Sequence, residues 1–221
     1  MLDSIGKWKV HALETGDFRL DGGAMMGSVP RVLWEETNPP DELNRINLSL
    51  RCLLLDDGDR KVLVETGMGN KFDEKFGEMF CVDQTENPLT DCLSRLGYTT
   101  DDITDVVLTH LHFDHAGGAT TKNFKGEVVP MFDNAEYHVS LSNWSAGMSP
   151  SPRDRASYLK INFEPLDKHG VLKLVSDNST ILEGISTYSV NGHTTGQQLV
   201  KVSDGGQTLV FCSDLIPLRS H

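Results

Sequence analysis

The motif His-x-His-x-Asp-His at residues 110–115 constrains this chain more than any other feature, because it follows an apolar run directly. Four metal-capable side chains fall within six residues. Alternate residues of an extended chain point to the same side, so His110 and His112 can share one metal ion. Asp114 and His115 fall where the Ala-Gly-Gly that follows must turn the chain. Two ligands at a strand end and two on the next loop favour two adjacent ions over one.

The length of the chain, 221 residues, allows one large or two small domains with a packed core. Its hydrophobic content of 38% and charged content of 24% are ordinary for a soluble globular protein. We find no tandem repeat, no low-complexity segment and no linker strong enough to divide the chain. A single domain over residues 1–221 is therefore predicted.

The net charge of −12 argues against a nucleic-acid partner, since phosphate binding needs Lys and Arg. An anionic membrane surface is disfavoured for the same reason, and no run approaches the ~18 apolar residues of a membrane span. The N-terminal residues 1–7 lack the long apolar segment of a signal peptide, so we predict a cytoplasmic protein. The predicted partner is a small-molecule substrate, and a homodimer is left open.

The four cysteines, Cys52, Cys81, Cys92 and Cys212, form no Cys-x-x-Cys pair and lie in apolar surroundings. This pattern is typical of buried or free thiols in a reduced cytosolic protein. A zinc site built from thiolates is therefore not expected.

The first part of the chain predicts strands separated by Gly-rich turns. Residues 8–16 alternate in character and suit a first strand, whereas the Gly- and Met-rich residues 18–30 suggest a loop. Residues 46–55 and 61–64 flank an Asp-Asp-Gly-Asp turn, which predicts a hairpin. The second of these strands ends in Glu65-Thr66-Gly67, where a carboxylate and a glycine suit a site on the rim of a sheet.

A helix is predicted over residues 88–96, where apolar side chains recur at helical spacing and Gly97 ends the pattern. The strand at residues 103–108 follows, so the chain contains a strand–helix–strand unit and has mixed α/β character. Residues 135–140 suggest another strand. Residues 143–152 hold a Trp, a Met and two prolines, and we expect an irregular surface segment there.

The last part is again strand-like, at residues 187–190, 198–202 and 208–212. His193 follows the first of these strands within Asn-Gly-His-Thr-Thr-Gly, and Asp214 follows the last. Either residue alone would be assigned an ordinary structural role. With the histidine-rich motif present, both become candidates for the same metal site.

Together these motifs resemble those of the metallo-β-lactamase superfamily of hydrolases. The His-x-His-x-Asp-His motif, the Gly-His-Thr-x-Gly motif at residues 192–196 and Asp214 after an apolar strand occur in the family's order. The Asp-Gly-Gly-Ala-Met run that begins at Asp21, with Leu33-Trp34, looks like the branch of N-acyl-homoserine lactonases and methyl parathion hydrolase. The resemblance implies an α/β fold, the four-layer αβ/βα sandwich, with metals at one edge between two β-sheets.

The resemblance also implies a set of ligands and a reaction. His110, His112 and His193 would bind a first metal ion, Asp114 and His115 a second, and Asp214 would bridge both. Two divalent ions, Zn²⁺ in the first place with Mn²⁺ or Fe²⁺ as alternatives, would hold a bridging water as hydroxide near neutral pH. Asp114 and Asp214 are the candidate catalytic residues, and Asp114 is placed to orient the water or shuttle a proton. The implied reaction is hydrolysis of a small ester or lactone.

Two positions depart from the family's pattern. Glu65 stands where the family usually has Asp, which keeps the charge but changes where its hydrogen bond lands. The family's last His, a ligand of the second metal, normally lies some tens of residues beyond the bridging Asp, whereas this chain has only His221 after Asp214. We expect the second site to be incomplete in a C-terminally incomplete chain, with His221 as a replacement only if the tail folds back. Such a chain is expected to expose apolar surface or to have a compensating partner.

Other interpretations use the same residues. A phosphotriesterase-like or thioesterase-like hydrolase could work with the same pair of ions. A diiron redox module of the superfamily typically carries Glu where this chain has His112, which argues against that class. A metal-binding but inactive protein is a further alternative, in keeping with the missing last ligand. We predict packing roles for Trp34, Met25 and Met26, and leave Phe113 as either a core residue or a pocket wall.

Overall fold

The computed structural model describes residues 3–84 and 88–221. Met1 and Leu2, which belong to the N-terminal stretch considered above, lie outside the described residues. Within the described ranges, no helix is both long enough and apolar enough to cross a membrane.

Strands and short helices alternate along the chain, in agreement with the predicted mixed α/β character. The strands are β1 (Ser4–Ile5), β2 (Trp8–Asp21), β3 (Arg45–Asp56), β4 (Lys61–Val64), β5 (Asp105–Val107), β6 (Thr120–Lys122), β7 (Val128–Pro130), β8 (Glu136–Ser140), β9 (Leu172–Val175), β10 (Thr180–Leu182), β11 (Ile185–Val190), β12 (Gln197–Asp204) and β13 (Gln207–Phe211). The helices are α1 (Gly22–Met26), α2 (Arg31–Trp34), α3 (Glu74–Met79), α4 (Pro88–Arg95), α5 (Phe113–Ala116), α6 (Leu141–Met148) and α7 (Glu164–Lys168). A 3₁₀ turn at Ser213–Leu215 follows β13.

The first sheet has the strand order β1-β2-β3-β4-β5-β8-β9. The predicted hairpin is confirmed, since β3 and β4 pair antiparallel. Gly58 in its turn has a φ of 100°, a conformation that glycine adopts without steric cost. From β4 onward the strands run parallel. The crossover from β4 to β5 includes α4, the predicted helix, which buries Leu89, Cys92 and Leu93 on one face.

The second sheet is antiparallel, with the order β10-β11-β12-β13. The three strands predicted near the C-terminus are confirmed as β11, β12 and β13. Gly205 and Gly206 make the turn between β12 and β13 with φ values of 57° and 76°. β6 and β7 form a separate two-stranded ribbon.

The core lies on both faces of the first sheet, because its central strands carry apolar side chains on both sides. On one face, a buried cluster includes Leu93 of α4 and Leu166 of α7. On the other face, Val64 and Val107 pack in a cluster with Val200 of the second sheet. The layers therefore follow the order helices, first sheet, second sheet.

The outer face of the second sheet carries apolar side chains that remain accessible. Tyr188 of β11 and Val210 of β13 are each 45% exposed. Lys201 pairs with Val210 in the β-ladder, and its ammonium group lies 5.8 Å from the centre of the Tyr188 ring. Tyr188 and Val210 therefore leave apolar surface accessible on this face. The predicted α/β fold is confirmed.

Two local predictions were wrong. Residues 18–30 are not one loop, because β2 continues to Asp21 and α1 begins at Gly22. The side chain of Asp21 caps α1 by accepting a hydrogen bond from Ala24 N at 2.7 Å. Residues 143–152 are not an irregular surface segment either. Ser140 caps α6 by accepting from Asn143 N at 3.3 Å, and both prolines of the segment lie beyond the end of that helix.

Candidate metal centre

All six residues that the sequence singled out lie at one edge of the two sheets. His110 and His112 follow β5, and Asp114 and His115 lie in the single turn of α5. His193 lies between β11 and β12, and Asp214 lies in the 3₁₀ turn after β13. Because the three segments that carry these residues each follow a strand, the topology rather than the local sequence brings them together.

Three histidines form the first group of potential ligands. One ring nitrogen from each of His110, His112 and His193 lies within 4.8 Å of the others. His193 Nε2 is 3.2 Å from His112 Nδ1. The sequence prediction that His110 and His112 share a site with His193 agrees with this arrangement.

Two carboxylates and one histidine form the second group, in which the ligand atoms also lie within 4.8 Å of one another. His115 Nε2 is 3.3 Å from Asp114 Oδ2 and 3.4 Å from Asp214 Oδ2. The same Asp214 oxygen lies 3.2 Å from His193 Nε2 of the first group. Asp214 thus stands between the two groups, where a bridging ligand would have to stand.

Several polar atoms of the site are buried without a protein partner, which tests whether the residues fit metal ions. His110 Nε2 and His112 Nε2 are both buried and accept no hydrogen bond. An unpaired buried polar atom costs free energy, and a bound cation would remove that cost. The donors are imidazole nitrogens and carboxylate oxygens, which suit Zn²⁺, Mn²⁺ or Fe²⁺. The side chains present therefore fit divalent metal ions.

The protonation of the first group also fits metal binding. Burial lowers the pKa of His110 well below its usual value, and the neighbouring histidines add to the effect. Burial likewise lowers the pKa of His112 to about 4 and lowers that of His193. All three imidazoles are then neutral near pH 7, the form in which they bind metal ions.

The second group carries opposite charges. Burial opposes the charged form of His115, but Asp114, Asp214 and Glu65 outweigh burial and raise the pKa of His115 well above its usual value. Burial would raise the pKa of Asp214, yet His115 and His193 lower it to about 2. Three carboxylates thus converge on one imidazole, and their combined negative charge favours a cation at this point.

Backbone packing fixes the position of His115. Its carbonyl oxygen accepts hydrogen bonds from Thr66 N at 2.9 Å and Thr66 Oγ1 at 2.8 Å. Gly117 and Gly118 allow this approach, because a Cβ at Gly118 would overlap the carbonyl oxygen of Thr66. Lys71 Nζ donates to the carbonyl oxygens of Gly117 and Thr120. The Gly-Gly pair after the motif is therefore needed for close packing as well as for the turn.

A pair of hydroxyl groups links two ligand-bearing segments. Thr109 Oγ1 lies 3.0 Å from His110 Nδ1 and 2.8 Å from Ser213 Oγ. Ser213 precedes Asp214 and has a positive φ of 45°, which is uncommon for a serine. This contact joins residues 104 positions apart, and sequence reasoning did not identify it.

Sequence reasoning also missed Asn143, which is fully buried in α6. Its side-chain amide contacts the segment between His110 and His112 and the segment after His193. The one available signal was its position three residues after Ser140, a residue type that often caps helices.

A cleft of about 420 Å³ opens onto residues of both groups. Its apolar lining consists of Phe18, Leu20, Met25, Leu48, Leu50, Phe113, Val210, Phe211, Ile216 and Pro217. Phe113 serves as both core residue and cleft wall, because its ring also packs on Phe76 with centroids 5.1 Å apart. Trp34 and Met26 are buried in the same cluster, as predicted, whereas Met25 also faces the cleft.

His221 does not join the second group. Its Nε2 lies 3.2 Å from the carbonyl oxygen of Met25. The tail does return to the body of the protein, since Ser220 Oγ accepts a hydrogen bond from Asn38 at 2.8 Å. The idea that His221 replaces the family's last His is therefore not supported.

Comparison with known proteins agrees with this geometry. Residues 49–221 match the model of the metallo-beta-lactamase superfamily. The chain is 26% identical over 176 residues to an N-acyl homoserine lactonase of Bacillus thuringiensis, covering 75% of this chain and 63% of that protein. It is 26% identical over 228 residues to a probable metallo-hydrolase of Mycobacterium tuberculosis, covering 86% and 66%. The chain thus spans somewhat less than two thirds of the length of these relatives.

Solved structures show the same similarity. The structure of a probable metal-dependent hydrolase from Staphylococcus aureus superposes with a TM-score of 0.90 at 30% identity, covering 99% of this chain and 76% of that one. A quorum-quenching N-acyl homoserine lactone lactonase has the same fold, with a TM-score of 0.69 at 24% identity and coverage of 96% and 75%. With the family match over residues 49–221 and six candidate ligands at one sheet edge, the chain belongs to the metallo-beta-lactamase superfamily.

Proposed function

We propose that the protein is a dinuclear metal-dependent hydrolase that cleaves a small ester or lactone. The observation that carries the proposal is the position of Asp214 Oδ2, which lies 3.2 Å from His193 Nε2 and 3.4 Å from His115 Nε2. A carboxylate shared by two groups of ligands is the arrangement that two adjacent ions require.

Each of the six residues has a role in this proposal. His110, His112 and His193 would hold the first ion, Asp114 and His115 the second, and Asp214 both. Two such ions would supply a hydroxide nucleophile near neutral pH and would polarise the bond under attack. No serine or cysteine nucleophile is then needed, which agrees with the engagement of Ser213 Oγ by Thr109.

Asp114 is the candidate for proton transfer. Its carboxylate lines the cleft, and its Oδ2 lies 3.3 Å from His115 Nε2. A carboxylate at this point can hold the attacking water in place and then carry its proton to the leaving oxygen. Asp114 is also proposed as a ligand of the second ion. One oxygen of its carboxylate would then bind the ion, and the other would take part in proton transfer.

The cleft supports a small substrate with an apolar part. Its walls are largely aliphatic and aromatic, and its volume of about 420 Å³ suits a small molecule. Several relatives are N-acyl homoserine lactonases, and one structural neighbour binds the product N-hexanoyl-L-homoserine at its metal centre. A lactone with an acyl chain is therefore the first substrate to test, with thioesters and phosphotriesters as alternatives.

Metal analysis combined with a hydrolysis screen tests the proposal. We expect two equivalents of divalent metal and turnover of lactones or esters by the wild-type chain. His112→Ala and Asp214→Ala should lose metal and activity, whereas His169→Ala, which replaces an exposed histidine after α7, should keep both. Unchanged turnover in His112→Ala and Asp214→Ala would rule out every metal-hydrolase version of the proposal.

A further inference from the structure

A buried asparagine in α6 contacts both segments that carry the first group of histidines. Asn143 Oδ1 accepts a hydrogen bond from Leu111 N at 2.9 Å, and Leu111 is the residue between the first two histidines. Asn143 Nδ2 donates to the carbonyl oxygen of Thr195 at 2.7 Å and to Thr194 Oγ1 at 2.9 Å. Thr194 and Thr195 directly follow His193. One side-chain amide therefore joins two segments that lie far apart in sequence.

The amide satisfies its hydrogen-bonding groups through these contacts. An asparagine side chain offers an oxygen acceptor and two N–H donors, and here both kinds of group have buried partners. Leaving the Leu111 N–H or the Thr195 carbonyl unpaired in this interior would be costly. The amide therefore helps to hold the two segments at this separation. Gln198 N and Nε2 add hydrogen bonds to the carbonyl oxygens of Thr109 at 2.8 Å and Leu108 at 3.1 Å, but these lie outside the stretch from His110 to His112.

Neighbouring side chains hold α6 and the amide in place. Tyr158 bonds through its hydroxyl to Thr194 Oγ1, and its ring packs edge-on against His112 with centroids 4.9 Å apart. A Cβ at Gly147 would lie only 3.2 Å from atoms of Leu111 and Tyr158, so the helix packs closely on this region. The amide of Asn143 thus has a rigid base.

The loop that carries His193 has little of this rigidity by itself. Asn191 Oδ1 accepts from Gly196 N at 2.9 Å, which shapes the loop but does not connect it to β5 or α5. The side chain of His193 is 32% exposed, whereas that of His110 is fully buried. The position of His193 therefore depends on contacts from outside its own loop.

We propose that Asn143 is a positioning residue for the first metal ion, because its amide fixes the spacing of His193 relative to His110 and His112. The inference rests on the proposed function, since it assumes that these three histidines bind a metal ion. It adds a residue on a separate helix, which would not touch the ion or the substrate.

The decisive variant is Asn143→Asp. Its carboxylate has nearly the same shape and still accepts from Leu111 N, but it places an oxygen against the carbonyl oxygen of Thr195. In a His115→Ala background, where the three-histidine group remains intact, we expect the zinc dissociation constant to rise ~10–100-fold. Competition with a chromophoric chelator measures this constant on the full chain. In the otherwise unchanged chain, Asn143→Asp should lower bound zinc from two equivalents to one.

Ser140→Ala is the matched control. It removes the hydroxyl that caps α6 and accepts from Asn143 N, so it weakens the same helix while keeping the amide. We expect a lower Tm for this variant with an unchanged zinc dissociation constant. The visible spectrum of bound Co²⁺, which reports ligand geometry, should change in Asn143→Asp and stay the same in Ser140→Ala.

The outcomes separate the two proposals. Equal zinc dissociation constants for Asn143→Asp and its parent, in both backgrounds, would overturn the positioning role and leave the proposed function intact. A parent chain that binds no zinc, Mn²⁺ or Fe²⁺ would overturn the proposed function and this inference together.

Discussion

The carboxylate of Glu65 lies 3.3 Å from Nδ1 of His115, so it contacts the ring nitrogen opposite the one that faces Asp114 and Asp214. Glu65 itself is fixed by the hydrogen bond that its Oε1 accepts from Thr109 N at 3.1 Å. It has a positive φ of 67°, a strained conformation for a residue with a side chain. A carboxylate behind a metal-binding imidazole orients the ring and raises its basicity.

Glu65→Asp should therefore weaken metal binding at the proposed second site. Withdrawing the carboxylate by one methylene breaks its contact with His115, so we expect the affinity for the second ion to fall ~10-fold while the first ion is retained. Calorimetric titration of the metal-free chain with Zn²⁺ measures both affinities. Glu42→Asp, at an exposed glutamate outside the candidate metal groups, is the control. Two unchanged affinities in Glu65→Asp would show that the contact has no role in metal binding.

Local pattern was sufficient to predict much of the fold. The Asp-Asp-Gly-Asp turn predicted the β3–β4 hairpin, and the spacing of Leu89, Cys92 and Leu93 predicted α4. Both signals arise from residues that are neighbours in sequence and depend on one periodicity or one turn type. The His-x-His-x-Asp-His motif could be identified for the same reason, whereas His193 and Asp214 became candidates only because that motif was present.

Contacts that hold the ligands in place could not be predicted in this way. Asn143 meets Leu111 across 32 residues, and Thr109 meets Ser213 across 104 residues. No periodicity connects such positions, because sheet topology decides which strand ends meet. The start of α1 was different, since Asp21 before Gly22 was a capping signal in the sequence that the Gly-rich composition obscured.

Gly118→Ala should destabilise the fold through backbone overlap. The added Cβ would overlap the carbonyl oxygen of Thr66, and displacement of Thr66 would disturb its hydrogen bonds to the His115 carbonyl. We expect a loss of ~1–3 kcal/mol in the free energy of unfolding, measured by urea denaturation.

Gly77→Ala provides the control for that substitution. Gly77 lies in α3, and its Cβ would meet Phe72 at an ordinary distance of 3.4 Å. Because alanine favours helix over glycine, this variant should be as stable as the wild type or more so. Equal stability of Gly118→Ala and Gly77→Ala would contradict the close-packing role of Gly118.

Asp105 should make stability depend on acid pH. Burial would raise the pKa of Asp105, but hydrogen bonds from His138 at 2.9 Å and Thr104 at 2.7 Å hold it below its usual value of 3.8. The contribution of ionised Asp105 to the free energy of unfolding is therefore present above pH 3.8. It is lost as the pH falls through the lower pKa that Asp105 has in the folded state. Asp105→Asn should cost about 2 kcal/mol at pH 7, and less at pH 3.

Urea denaturation at pH 7, 5 and 3 measures this difference. Asp133→Asn, at an exposed aspartate, is the control and should follow the wild-type curve. A stability gap between Asp105→Asn and wild type that stays constant down to pH 3 would mean that Asp105 does not titrate in the predicted way.

Lys71 should also make stability rise with pH, but at neutral to alkaline pH rather than in acid. Burial lowers the pKa of Lys71 to about 7 from its usual value of 10.5, and the nearby Lys122 adds to the effect. Between these two values the unfolded chain binds a proton that the folded chain does not, so raising the pH favours folding. Through this one group, the free energy of unfolding should rise by up to ~1.4 kcal/mol per pH unit.

Lys71→Met should remove that slope, because methionine fills similar space without a titrating group. It should also lower stability at pH 7, since the carbonyl oxygens of Gly117 and Thr120 lose their donor. Urea denaturation at pH 7, 8 and 9 measures both effects, with Lys125→Met at an exposed lysine as the control. Parallel pH curves for wild type and Lys71→Met would show that Lys71 stays protonated in the folded chain, held by its two carbonyl partners against the cost of burial.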